Sequence, residues 1–165
     1  LEYEIERSSG MTFQPLDIAV IKGKWYNPMD WIIYQRTSTL WGHCVILKNE
    51  SGDIFDPRGR GIENNHISRY ATRGFKIRRY KNDFDKKKVM DWLVETQKVS
   101  HSYDFFALLG FITGIKEFQD EDHWYCAELP YWMLQRFPET RLTDEELAFV
   151  YPAFFMQCND FVTVE

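Results

Sequence analysis

The sequence predicts an α+β domain in which a small antiparallel sheet is packed by three or four helices. Three observations predict it. Short β-rich runs are joined by tight-turn residues. One long segment carries its apolar residues at three- and four-residue spacing. The chain has 165 residues, 44% hydrophobic and 27% charged, enough for the core of one globular domain and too apolar for a disordered chain.

Residues 1–15 read as an N-terminal arm or a tag remnant, and 16–165 as a single domain. Residues 16–21 (LDIAVI) predict a first strand that stops at Gly23. Pro28 stands at a helix-start position, and 29–36 predict a short helix. Residues 40–47 (LWGHCVIL) predict a second strand and 53–57 a third. Asn49-Glu50-Ser51-Gly52 between them has the chemistry of a hairpin loop. FKIRRY, 75–80, alternates as a strand with one wet face. Val89, Trp92, Leu93 and Thr96 share a helical face over 85–99, and Asp85 stands as its cap. Ser102 suits the cap of a helix over 103–111, ending near Gly114. A helix is expected over 128–137, stopped by Pro138. Thr143 with Glu146 three residues on forms a capping box. Aromatic pieces around Phe154 and Phe161 suit closing strands.

A net charge of −5 argues against a general nucleic-acid binder. Basic residues nonetheless cluster between Arg69 and Lys88. They read either as a solvated strand edge or as a peripheral contact with an anionic surface through Arg73–Lys88. The apolar runs are short and broken, so no membrane-spanning helix is expected, and no basic-then-apolar leader opens the chain. A soluble protein is expected, with no compartment indicated.

Three cysteines, Cys44, Cys126 and Cys158, make no disulfide framework. No Cys/His spacing suits a metal, so none is expected, and no other cofactor is implied. Cys126, in HWYCAELPYWML, lies where a polar acidic stretch meets an apolar-periodic helix. A thiol there faces the positive end of the helix dipole, which favours the thiolate, and nearby amides are placed to bind an oxyanion. The same position suits a buried core cysteine.

His43 is mid-strand in WGHCVIL. Strand alternation puts Trp41 and Val45 on its face and Gly42 and Cys44 on the other. An imidazole on a rigid strand can be aimed at a thiol presented by a helix, which is the core of nucleophilic catalysis. A half-buried structural histidine fits as well. His66, His101 and His123 are competitors. The base needs an orienting group at its second nitrogen, and the next strand offers Asp56, in GDIFDPRGRG. Asp56 also fits turn chemistry before Pro57.

His43 in LWGHCVIL, Asp56 in the next strand, Tyr103-Asp104 in SYDFFALLG and Cys126 in WYCAELPYWML, in that order, resemble the circularly permuted branch of the NlpC-type papain-like cysteine hydrolases. That branch includes YiiX/YebB-like and lecithin–retinol acyltransferase-like proteins. LDIAVIKG resembles its first strand and VYPAFF its closing proline segment, so the likeness spans about 16–164. It implies a permuted papain-like fold, with Cys126 as nucleophile, His43 as base and Asp56 as the third, polar member. Relatives more often carry Glu as that third member, which leaves Glu63 as a fallback. Tyr103 falls where relatives hold substrate or the oxyanion.

The implied activity is amide or peptide hydrolysis through a thioester, with bacterial cell-wall (peptidoglycan) peptides as an expected substrate. The implied partners are a peptide, a glycopeptide or an acyl lipid. Trp25, Trp31, Trp41 and Trp124 fit the walls of a groove, or core and rim. Two alternatives stand beside this: a lipid acyltransferase or thioesterase at a membrane surface, and a catalytically silent papain-like binding module.

Overall fold

The computed structural model describes residues 12–24, 26–58, 60–100, 126–142 and 150–164. Among them six strands form one open antiparallel sheet: β1 (Ile18–Lys22), β2 (Trp41–Leu47), β3 (Asp53–Arg58), β4 (Gly61–His66), β5 (Phe75–Tyr80) and β6 (Phe161–Val164). Their spatial order is β4-β3-β2-β1-β5-β6. Four α-helices among the described residues accompany the sheet: α1 (Pro28–Thr37), α2 (Lys86–Val99), α3 (Glu128–Gln135) and α4 (Phe154–Gln157). The architecture is α+β, as expected. The expected helix over 103–111 and the Thr143–Glu146 capping box lie outside the described residues.

Period-two alternation divides the core. Ile18, Val20, Cys44, Ile46 and Phe55 face one way and pack with Val89 and Leu93 of α2, Leu129 and Met133 of α3, and Phe154 and Phe155 of α4. Ala19, Ile21, Val45, Leu47, Ile54 and Ile77 face the other way. A 3₁₀ turn over Ile67–Tyr70 covers them with Ile67 and Tyr70. Both faces of β1 and β2 are therefore buried, which is why these strands read as almost unbroken apolar runs.

Local chemistry explains most boundaries. Asn49 Oδ1 accepts from the amides of Gly52 and Asp53 at 3.1 Å each, and Gly52 takes φ +99°, closing the β2–β3 hairpin. Asp85 caps α2 by accepting from Lys88 N at 3.0 Å. Pro130 sits in the first turn of α3, where its missing N–H leaves no helical bond unmade.

Several expectations need correction. The Phe154 piece is the short helix α4, and only the Phe161 piece is a strand. β4 was not foreseen, because Glu63-Asn64-Asn65 has low strand propensity and pairing with β3 overrides it. α3 ends at Gln135, two residues early. Trp41 does not share His43's face. The β1–β2 register slips between Ile21 and Lys22, and Trp41 packs with the helix-bearing core.

In the basic segment, expected as a solvated edge or an anionic contact, Lys76, Lys81 and Lys86 to Lys88 are exposed, whereas Arg73, Arg78 and Arg79 are held within the fold. Arg78 is buried and donates to Phe155 O at 2.8 Å, Cys158 O at 3.2 Å, Phe161 O at 3.1 Å and Thr163 Oγ1 at 2.6 Å. Arg79 pairs with Asp17 at 2.8 Å and Arg73 with Asp30 at 3.1 Å. These guanidinium groups tie β5 and its neighbours together. No described helix is long and apolar enough to cross a membrane.

Candidate active site

β2 and β3 pair through Ile46↔Phe55 and Leu47↔Ile54, and their ladder then stops although both strands run on. Pro57 has no N–H to donate there. Asp56, beside it, is therefore a mid-strand residue and not part of a turn. In this unladdered stretch His43 Nε2 meets Asp56 Oδ1 at 2.8 Å.

Helix α1 comes close to the start of β2. A Cβ on Gly42 would meet Asp30 Oδ1 at 2.5 Å and Gly23 Cα at 2.8 Å, so glycine is required beside His43. Asp30 is itself fixed, accepting from Lys24 N at 2.7 Å and Arg73 Nη2 at 3.1 Å. The backbone that aims the imidazole is thus clamped from its neighbouring helix.

Asp56 is fully buried and surrounded by donors. Oδ1 accepts from His43, while Oδ2 accepts from Arg58 Nε at 2.7 Å and Asn65 Nδ2 at 3.0 Å. The Tyr70 hydroxyl spans both oxygens at 3.0 and 2.9 Å. Four donors match the four acceptor positions of a carboxylate. Burial alone would raise the Asp56 pKa. The His43 hydrogen bond and charge, followed by those of Arg58, hold it down at about 2. Glu63, opposite Asp56 across the β3–β4 ladder, accepts from Asn65 at 3.3 Å, and it is Asp56 that meets the imidazole.

The His43 side chain is 13% exposed. Burial would lower its pKa. The Cys126 sulfur in hydrogen-bond reach, together with the Asp56 hydrogen bond, pushes it up to about 9 instead. Nε2 is given to Asp56, so Nδ1 is the nitrogen left for the sulfur. Residues far apart in sequence, Cys126 and His43, are therefore brought together with Asp56 behind the imidazole.

Cys126 is buried and stands one residue before Ala127, the N-cap of α3, not within the first helical turn. Ala127 gives the helix no side-chain cap. The other cysteines differ. Cys44 and Cys158 are buried too, and burial pushes the Cys44 thiol well above its ordinary pKa, with the Cys126 charge adding to the effect. His66 bonds Ser51 O and Ser68 Oγ at 2.8 Å each, a local structural role. Tyr103, His101, His123, Trp25 and Trp124 lie outside the described residues. Trp31 is exposed, and Trp41 packs on the core.

Arg58, Asn65 and Tyr70 did not emerge as site residues from the sequence. Arg58 had a signal, since two residues along a strand from Asp56 is the same face. Asn65 and Tyr70 depended on β4 and the 3₁₀ turn that follows it.

No protein-family model matches the sequence, and no curated protein matches it. Among solved structures it resembles one titled "Crystal structure of metalloprotein yiiX from Escherichia coli O157:H7, DUF1105". The likeness covers 92% of this chain and 96% of that one, with TM-score 0.65 and 15% identity. The chain has a YiiX-like fold. At this identity the likeness concerns the fold and not the chemistry.

Proposed function

We propose that the protein is a cysteine-dependent amide or peptide hydrolase with a permuted papain-like (NlpC-type) fold. The observation that carries this reading is His43, held at Nε2 by Asp56 at 2.8 Å, with the Cys126 sulfur in hydrogen-bond reach of the same ring. Nucleophile, base and orienting carboxylate in that order are the parts of thiol acyl transfer.

In the proposed reaction His43 holds the Cys126 proton, and the thiolate attacks the substrate carbonyl carbon. In this reading the developing oxyanion is received by backbone amides at the start of α3. The C–N bond breaks as His43 gives its proton to the leaving amine, which departs and leaves a thioester on Cys126. Water then loses a proton to His43 and attacks the thioester carbonyl. Collapse of that adduct releases the carboxylic acid and restores the Cys126 thiolate beside imidazolium. Asp56 stays ionised throughout, because four donors hold it. The role given to Tyr103 rests on the family resemblance alone.

The YiiX structure is titled a metalloprotein. The present site does not fit a metal at Asp56. Both carboxylate oxygens are taken, one by a guanidinium, and a cation would have to displace a like charge. Among the described residues no group of three or more His, Cys, Asp or Glu side chains is arranged to hold a metal ion.

The test uses short cell-wall peptides carrying γ-D-glutamyl–diamino acid links, incubated with the protein and with Cys126→Ala and followed by mass spectrometry. Cleavage by the parent and none by a Cys126→Ala protein of unchanged melting temperature supports the reading. Equal cleavage by both overturns it.

A further inference from the structure

We propose that Tyr70 is a positioning residue for His43, acting through its hydroxyl on Asp56; this rests on reading His43 as the base. Asn65 and Arg58 complete the set. Oδ2 is held by Arg58 and Asn65, whereas Oδ1, the oxygen facing His43, has Tyr70 as its other donor. The hydroxyl lies almost evenly between the two oxygens, at 3.0 and 2.9 Å, so it fixes the rotation of the carboxylate plane. It also accepts from Arg58 Nη2 at 2.7 Å, closing a ring of Asp56, Arg58 and Tyr70.

The Tyr70 ring meets the imidazole on a second side, with centroids 5.6 Å apart and planes tilted by 45°. One side chain thus limits both the carboxylate's rotation and the imidazole's. A carboxylate held this way accepts from Nε2–H and leaves Nδ1 without a proton when the ring is neutral. That is the tautomer a thiol can donate to. Without that restraint the carboxylate turns off the Nε2–H axis, its hold on that proton weakens, and the other tautomer gains population. Tyr70 is buried at the end of a 3₁₀ turn whose Ile67 packs under the sheet, so the hydroxyl's position is set by the fold.

Tyr70→Phe removes the hydroxyl and keeps the ring, which separates this role from packing. The measurement is the pair of ring ¹⁵N shifts of His43, assigned with His43→Ala and recorded above its titration, alongside iodoacetamide labelling of Cys126 at neutral pH. The parent should show one tautomer with the proton on Nε2. A folded Tyr70→Phe should show mixed tautomers and label Cys126 about tenfold more slowly, the loss expected for one hydrogen bond to a charged group. Asn65→Ala, at a half-buried position, repeats the test and should show a smaller change in the same direction. An unmixed Nε2–H tautomer with unchanged labelling in folded Tyr70→Phe overturns the proposal. The tautomer readout does not require a reactive cysteine. Failure of the hydrolase reading would show separately, as ordinary thiol behaviour of Cys126 in the parent.

Discussion

Among the buried charges of the described residues, Asp56 and Arg78 have partners that differ in kind. Asp56 on β3 is an anion ringed by side chains, one of which, His43, changes charge near pH 9. Arg78 on β5 is a cation ringed by three backbone carbonyls and one threonine hydroxyl, none of which titrates. Both satisfy the rule that a buried charge must be hydrogen-bonded. The Arg78 cluster joins the C-terminal segment to the sheet, and Arg78 keeps its charge across ordinary pH. The Asp56 cluster changes charge as His43 titrates near pH 9, and the Cys126 sulfur lies beside that imidazole. Buried charge alone therefore does not mark a candidate site; an imidazole bonded to the buried charge is what sets the Asp56 cluster apart.

The comparison sharpens most under truncation. Asp56→Ala strands the Arg58 guanidinium and the His43 imidazole together, and should cost about 3–5 kcal/mol of unfolding free energy. Arg78→Met leaves carbonyls without a donor at similar shape, and should cost roughly 2–3 kcal/mol. Denaturant titration of both variants checks the order. A larger loss for Arg78→Met would mean that the acid cluster is the more dispensable of the two.

pH separates the regions next. Asp56 has a depressed folded pKa, so its contribution is full above the unfolded value near 4 and fades as pH falls through about 2. His43 has a raised folded pKa. Its contribution is full below the unfolded value of 6.5 and is lost as pH rises through about 9. Melting temperatures from about pH 5 to 10 should therefore fall on the alkaline side in the parent, and fall less in His43→Gln. Arg78→Met should keep the parent's alkaline slope, because Arg78 does not titrate there.

A smaller effect is expected where the backbone supports the imidazole. Gly42→Ala forces a methyl against Asp30 and the Gly23 backbone, and should cost about 1–3 kcal/mol while disturbing His43. Gly74→Ala is the control for glycine's backbone strain alone, since its Cβ would meet only the Lys22 side chain at 3.6 Å, although its φ is +70°. Smallest of all is Lys87→Ala. Its partner Asp91 is 64% exposed, and the pair belongs to neither buried cluster, so the melting temperature should not change measurably.

Much of the sheet was legible. β2, β3 and β5 carry β-branched and aromatic residues between turn signals, and α2 shows its apolar face and its Asp85 cap. β4 was not legible, because its strand character comes from pairing and not from its own residues. The Arg78 cluster was hidden for a related reason. Its partners are mostly backbone carbonyls of a distant segment, and a carbonyl has no letter in a sequence. His43 and Asp56 were legible as neighbours because one hairpin joins them. That Tyr70 completes the carboxylate's shell required knowing how the chain turns after β4.

The most direct test is the pH dependence of iodoacetamide alkylation at Cys126, in the parent and in His43→Ala, with Cys44 and Cys158 as internal references. The account predicts that Cys126 reacts well below the ordinary thiol pKa of about 8.5. It further predicts that this acid-side reactivity disappears in His43→Ala, while the other two cysteines stay slow. A Cys126 that titrates as an ordinary thiol, with one profile in both proteins, would contradict it.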